Sequence, residues 1–329
     1  MGYGYCRLEP VITIGLAAAC MALSSTAISQ SYPSKPLRVI VPLAAGGPSD
    51  VLARVLANPM SEAMKQPVVV ENRAGAATQI GHNLLAKSAP DGYTIGITVL
   101  AGAANATLFP KAPFDYVRDL RGVAFITRQP PILAVNPAKM PVRTVREFIE
   151  FARKNPGTTY GFFGYGGAVH LLIEEMNQTY GTGMTLVPYK GAAEATAALV
   201  TDQVHSAAAS YPAYAPMKGS PKVRMLAIGG STRISLLPDV PTYAEAGYEN
   251  LGKHLAWQGV LAPAATPDAM VNYLNRVINT AAQLPDISKR FDAMNFTFEG
   301  MTPAQFDAFI RAEVPRIGDI IRKGNIKPE

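Results

Sequence analysis

Two glycine-rich segments are where this sequence could do chemistry. The first is Pro42-Leu43-Ala44-Ala45-Gly46-Gly47-Pro48-Ser49-Asp50, between an apolar run and a helical pattern. The second, Gly161-Phe162-Phe163-Gly164-Tyr165-Gly166-Gly167-Ala168-Val169-His170, repeats that arrangement. A loop that leaves a parallel strand and feeds a helix N-terminus presents unpaired N–H groups and a positive dipole end, which suits an anion. Gly46 and Gly47 allow the backbone to come close to it. The anion is not a nucleotide phosphate, because no Lys follows the glycines and no Gly-x-Gly-x-x-Gly occurs. The plainer reading is a turn in which Ser49 or Asp50 caps the helix. Strand alternation lets only one of Phe162 and Phe163 face a cleft. His170, in a helix's first turn, is more often a packed or capping residue than a catalyst.

Covalent chemistry has few candidates. His82, His170, His205 and His254 are the only histidines, and none is spaced like a metal-ligating pair. No Gly-x-Ser-x-Gly elbow is present. Lys190, in Pro188-Tyr189-Lys190-Gly191, is a nucleophile only if desolvated and otherwise a surface or hinge cation. These observations point to a binding protein, not an enzyme, with no metal and no cofactor. The net charge of +6 is spread among acids and forms no basic arm, which argues against nucleic acid and suits an anionic small molecule.

The N-terminus sets the compartment. Arg7 precedes an apolar run over residues 11–23, and Ala27 and Ser29 occupy the small-residue positions of an export cleavage site. The run is too short for the ~20 residues of a membrane span. Residues 1–29 are therefore expected to be a signal peptide, with the mature protein in the periplasm. Ala18-Ala19-Cys20 has the end of a lipoprotein signal, but Ala17 stands where Leu is usual, so lipidation at Cys20 is the lesser reading. Cys6 and Cys20 are the only cysteines, so cleavage after Ser29 leaves no thiol and no disulfide.

The elements that must position the loops alternate in kind. Strands are expected at 37–41, 68–70, 93–97, 132–135, 159–163, 186–189, 223–229 and 259–261. Helices are expected at 49–65, 77–88, 144–154, 167–180, 192–200, 268–284 and 303–323. Pro59 should kink or end the first helix, and Thr144 with Glu147 forms a capping-box pattern. Strand–helix alternation implies α/β architecture with parallel sheets. The expected division is lobe 1 from 30–131, lobe 2 from 132–228, and a return to lobe 1 over 229–329.

At this point a family resemblance can be read. Tyr32-Pro33-Ser34-Lys35-Pro36, the 42–50 loop, Val70-Glu71-Asn72-Arg73-Ala74-Gly75-Ala76, Ala89-Pro90-Asp91-Gly92-Tyr93-Thr94, Val187-Pro188-Tyr189-Lys190-Gly191 and Leu237-Pro238-Asp239-Val240-Pro241-Thr242 occur in order. Together they resemble the Bug-type receptors of tripartite tricarboxylate transporters. The resemblance implies a type II, Venus-flytrap periplasmic binding protein with two lobes, each a mostly parallel sheet flanked by helices. It also implies a monomeric receptor that closes on a carboxylate and delivers it to membrane permease subunits. The implied site comprises Leu43, Ala44, Gly46, Gly47, Ser49 and Asp50, then Leu100 and Ala101 after the third strand. The second lobe supplies Phe163, Gly164, Tyr165, Gly166, Gly167 and His170, with Ser210 and Tyr211 as a further wall.

Departures from the family pattern bear on the ligand. Gly167 and Val169 stand where Ser or Thr is common, Tyr165 where Asn is common, Ala209 where Asp is common, and Pro48 where Gly is usual. Polar partners and a negative charge are lost while aromatic surface is gained. The expected ligand is a flat aromatic carboxylate such as terephthalate, with aliphatic di- or tricarboxylates as the alternative. A role in sensing for a membrane signalling partner uses the same closure, and an enzyme on this fold is the remaining alternative.

Overall fold

In the computed structural model, the short apolar runs form strands and the 3.6-periodic stretches form helices. β1 (Leu37–Val41) and β2 (Val68–Asn72) flank α1 (Pro48–Met64); α2 (Gln79–Ala86) precedes β3 (Thr94–Val99), and α3 (Leu100–Leu108) precedes β4 (Leu120–Gln129). Then follow β5 (Ile132–Val135), α4 (Val145–Lys154), β6 (Thr159–Phe163), α5 (Ala168–Tyr180) and β7 (Thr185–Tyr189). α6 (Ala192–Val200), β8 (Ser206–Ala209), the single turn α7 (Tyr211–Tyr214) and β9 (Arg224–Ile228) come next. β10 (Ala256–Pro263), α8 (Asp268–Ala282), α9 (Pro285–Ala293), β11 (Thr297–Phe298) and α10 (Pro303–Lys323) complete the series. The structure describes residues 1–2 and 32–327. The expected cleavage site, Cys6 and Cys20 therefore lie outside the described residues, as does the expected signal peptide beyond its first two residues. The chain divides into Met1–Ser34 and Lys35–Glu329, and every described strand and helix belongs to the second unit.

Two sheets form, with strand orders β11-β4-β10-β3-β1-β2 and β7-β6-β8-β5-β9. β1 is parallel to β2 and β3, and β6 is parallel to β7 and β8. Helical crossovers require this parallel core. β10 and β5, which carry the chain in from the other sheet, insert antiparallel beside β3 and β8 respectively. Both lobes thus share one plan, with the direction of strand addition reversing beside β1 and β6. In open α/β sheets such reversals leave a crevice at the carboxyl ends of the strands.

Local differences from the sequence pattern have local causes. α1 runs through Pro59 without ending there. Its buried face of Leu52, Val55, Leu56, Met60 and Met64 packs on β2 and α8, which holds the last turn despite one lost hydrogen bond. α2 begins at Gln79, not Ala77, because Ala76, Ala77 and Thr78 take positive φ values of 45°, 49° and 79°. Non-glycine residues pay about 1–2 kcal/mol each for that region. Asn105 holds the turn, donating its Nδ2–H to the Ala77 carbonyl and to Thr78 Oγ1. The capping box at Thr144 is half made: Thr144 Oγ1 accepts from the Glu147 N–H at 3.1 Å, but Glu147 Oε2 accepts from the Arg143 N–H at 2.7 Å. Tyr243 and Leu251 are fully buried in the second lobe's core, so the chain after β9 stays on that lobe. It pairs with the first sheet from Ala256 onward.

The lobes meet along α3, α5 and α10. Ala168 and Leu171 of the second lobe share an apolar cluster with Ala104, Leu108 and Ile317 of the first. Gln178 Nε2 donates to the Ile320 carbonyl at 3.1 Å. Behind α3, His82 is 1% exposed and edge-on to Tyr116 at 5.5 Å. Burial pushes its imidazole pKa down to about 4. The folded chain therefore holds His82 neutral while the unfolded chain protonates it below ~6.5. Stability should fall as pH drops from ~6.5 to 4, with this one group contributing a loss of about 3 kcal/mol. Urea midpoints across that range for wild type and His82→Gln should converge as pH falls; parallel curves would remove His82 from the account.

Candidate functional site

A cleft of about 700 Å³ opens at the carboxyl ends of the parallel strands, and both sheets contribute to it. The first turns of four helices line it: Pro48 and Ser49 of α1, Leu100 and Ala101 of α3, Ala168 and Val169 of α5, and Ala192 and Ala193 of α6. Their N-caps are Gly47, Val99, Gly167 and Gly191, and none makes a side-chain cap hydrogen bond. First-turn N–H groups have no intrahelical partner, so donors from both lobes converge on one space. Pro48 sits at the first helical position, where its missing N–H costs nothing.

Among the described residues no Lys, Arg, Asp or Glu lines the cleft. Ser49 and Ser210 are polar residues of its lining, and neither hydroxyl is hydrogen-bonded to another described residue. The remaining surface is mainly apolar, including Leu43, Phe163, Trp257, Met294 and Phe296. An anion here would be held by backbone dipoles and hydroxyls, with its apolar body against side chains.

The sequence-predicted residues divide into two groups. Leu43, Gly46, Ser49, Leu100, Ala101, Phe163, Gly164, Gly167 and Ser210 line the cleft. Ala44, Gly47, Asp50, Tyr165, Gly166, His170 and Tyr211 are not in the lining. Several of these support the loops. Asp50 is 4% exposed; its Oδ2 accepts from the Gly46 N–H at 2.9 Å, and Arg54 Nε donates to both carboxylate oxygens at 3.0 Å. The Arg54 hydrogen bond leads the effects that hold the Asp50 carboxyl below its ordinary pKa, so it stays ionised and clamps the loop. Phe162 is buried, stacking on His170 at 4.6 Å and meeting Tyr165 edge-on at 5.0 Å. His170 Nδ1 accepts from the Gly166 N–H at 3.0 Å. Of the adjacent pair, Phe163 alone reaches the cleft. Tyr211 packs on the second lobe's other core face.

Sequence reasoning missed the wall beside the interlobe crossings: Gln129, Pro131, Ala256, Trp257 and Gln258. Trp257 is 2% exposed, stacked on Phe125 at 6.0 Å and edge-on to Phe309 at 5.4 Å. A second cavity of about 640 Å³ is lined by both crossing segments and by Arg128, Glu299, Glu313 and Arg316. Its cations are already engaged: Arg128 with Glu299 at 2.5 Å, Arg316 with Glu313 at 2.7 Å, and Lys253, whose Nζ donates to Asn250 Oδ1 at 2.9 Å. That leaves the cleft as the better place for an incoming anion. Among the described residues no cluster of three or more His, Cys, Asp or Glu could hold a metal, and no helix is long and apolar enough to cross a membrane.

Comparisons with known proteins agree with this geometry. Residues 52–326 match the model of the tripartite tricarboxylate transporter family receptor. The protein BugT of Bordetella pertussis (strain Tohama I) is 35% identical over 324 residues, spanning 98% of each chain. The solved structure of R. palustris Rpa4515 with adipate is 30% identical with a TM-score of 0.76, covering 91% of this chain and 100% of that one. MatC from Rhodopseudomonas palustris with bound malate is 28% identical with a TM-score of 0.73, covering 88% and 100%.

Proposed function

The chain belongs to the tripartite tricarboxylate transporter receptor family, and we propose that it captures a small aromatic carboxylate between its lobes and delivers it to membrane permease subunits. The observation that carries this reading is the convergence of four helix N-termini in an apolar cleft to which no charged side chain among the described residues contributes. A carboxylate leaving water must recover its hydrogen bonds, and helix N-termini supply donors and dipole together. Leu43, Gly46, Ser49, Leu100, Ala101, Phe163, Gly164, Gly167 and Ser210 are the contact residues in this reading. Ala44, Gly47, Asp50, Tyr165, Gly166, His170 and Tyr211 shape the loops behind them. The leader exports the chain to the periplasm, where it acts as a monomer. Its lobes are 35–129 with 256–327, and 132–255.

An aromatic body, in benzoate or terephthalate, fits the apolar wall of Phe163, Trp257 and Phe296. The aliphatic adipate and malate of the two R. palustris structures supply the second reading. Turnover is not part of either. Neither cleft serine is hydrogen-bonded to a histidine, and His170 lies behind the loop with Nδ1 engaged.

Trp257 is the only tryptophan and lines the cleft, so its fluorescence reads occupancy directly. Titration with benzoate and terephthalate should change the emission saturably, and adipate or malate should act only at higher concentration. A response to the aliphatic acids alone would replace the aromatic reading with the second one. Silence to all four would end the carboxylate reading.

A further inference from the structure

The wall beside the crossings holds a polar side chain with nothing to bind. Gln258 is 7% exposed and lines the cleft, its Oε1 is buried without a partner, and its amide makes no hydrogen bond to any described residue. Thr127 stands opposite it across the β10–β4 ladder, and the Thr127 hydroxyl is also buried and unbonded. Opposed residues of antiparallel strands share one face of the sheet. Leaving such groups unmet is destabilising, and a binding protein tolerates it where a ligand completes the set.

We propose that Gln258 reads a second polar group on the ligand, and that this group is an uncharged hydroxyl or carboxamide instead of a second carboxylate. The inference rests on reading the cleft as a carboxylate site. A side-chain amide offers one acceptor and two donors. A hydroxyl or carboxamide can satisfy both kinds, whereas a carboxylate only accepts and would leave the Gln258 Oε1 unmet.

Among the described residues no cation stands ready for a second carboxylate on this wall. Arg128, next to Thr127 in the strand, lies over the Phe125 and Phe309 rings at 5.1 and 5.2 Å and pairs with Glu299. Gln129 has its Nε2–H committed to the Met294 carbonyl at 3.1 Å. An unpaired carboxylate buried against Trp257, Met294 and Phe296 would be costly. The ligand class is therefore an aromatic monocarboxylic acid that also bears a hydroxyl or carboxamide.

The test is calorimetric titration of wild type and Gln258→Met with benzoate, its 3- and 4-hydroxy and 3- and 4-carbamoyl derivatives, and terephthalate. One hydroxy or carbamoyl acid should bind wild type about tenfold more tightly than benzoate, and terephthalate should not exceed benzoate. In Gln258→Met that preference should shrink to about twofold or less. Should the methionine variant fail to fold, Gln258→Leu, which also removes the amide, reads the same ratio. A preference that survives the substitution, or terephthalate as the tightest acid, overturns the role of Gln258 and leaves the carboxylate cleft standing. If no acid in the panel binds, benzoate included, both readings fall.

Discussion

Gly166→Val should weaken carboxylate binding by about 100-fold, equivalent to about 2.7 kcal/mol, while both lobes still fold. Gly166 has a φ of +69°, a region that a β-branched residue rarely adopts. A Cβ there would lie 3.1 Å from Ala104 Cβ and 3.1 Å from Leu108 Cδ1. Both contacts are on α3, which belongs to the other lobe and places Leu100 and Ala101 at the cleft. Valine would therefore act as a wedge between the glycine loop of one lobe and a helix of the other. A ligand stabilises closure only through its higher affinity for the closed state, and a wedge between the lobes opposes that closure. Titration beside a melting curve checks this. Wild-type affinity in Gly166→Val would show that this contact takes no part in closure.

Gly259→Val should be the most damaging single change to stability. An added Cβ would stand 2.4 Å from Phe306 Cζ, 2.7 Å from Phe306 Cε1 and 2.9 Å from the Ala124 carbonyl oxygen. Phe306 is fully buried, edge-on to Phe125 at 5.5 Å and to Trp257 at 6.0 Å, so its ring has nowhere to move. Overpacking of this kind costs about 3 kcal/mol, and in a chain of this size should lower Tm by roughly 6–12 °C. Phe306→Leu makes room beside the new side chain, so the double variant should recover part of the loss. Strict additivity of the two substitutions would contradict the steric account. The same strand carries Trp257 and Gln258, so strain at Gly259 also reaches the cleft wall.

The parts of the fold that local chemistry specifies were legible before the structure. α6 at Ala192–Val200 and α10 at Pro303–Lys323 have the expected bounds, and the Thr302–Gln305 capping box marks where α10 starts. α3 was harder to read because Leu-Ala-Gly-Ala-Ala-Asn-Ala-Thr-Leu has no charged face. It is largely buried between the lobes, so its sequence shows no amphipathic stripe. β4 and the full length of β10 depend on long-range antiparallel pairing that no local window contains.

The site follows the same division. Two glycine loops could be read as strand, turn and helix start, and they do border the cleft. Tyr165 read as a cleft aromatic, yet the rings of Phe162 and His170 hold it on the second lobe's core side. The aromatic surface comes instead from Trp257 and Phe296, brought in when the chain returns to the first sheet. Gln258 was invisible for the same reason, since only the β10–β4 register places it on that wall.

Backbone donors from both lobes, not a side-chain cation, should hold the carboxylate. A crystal structure of the protein soaked with benzoate tests it most directly. The carboxylate oxygens should lie within about 3 Å of first-turn N–H groups from at least one helix of each lobe, with no Lys or Arg nitrogen in contact. A carboxylate bound to Arg128 or Arg316 in the second cavity, or held by one lobe only, would contradict it.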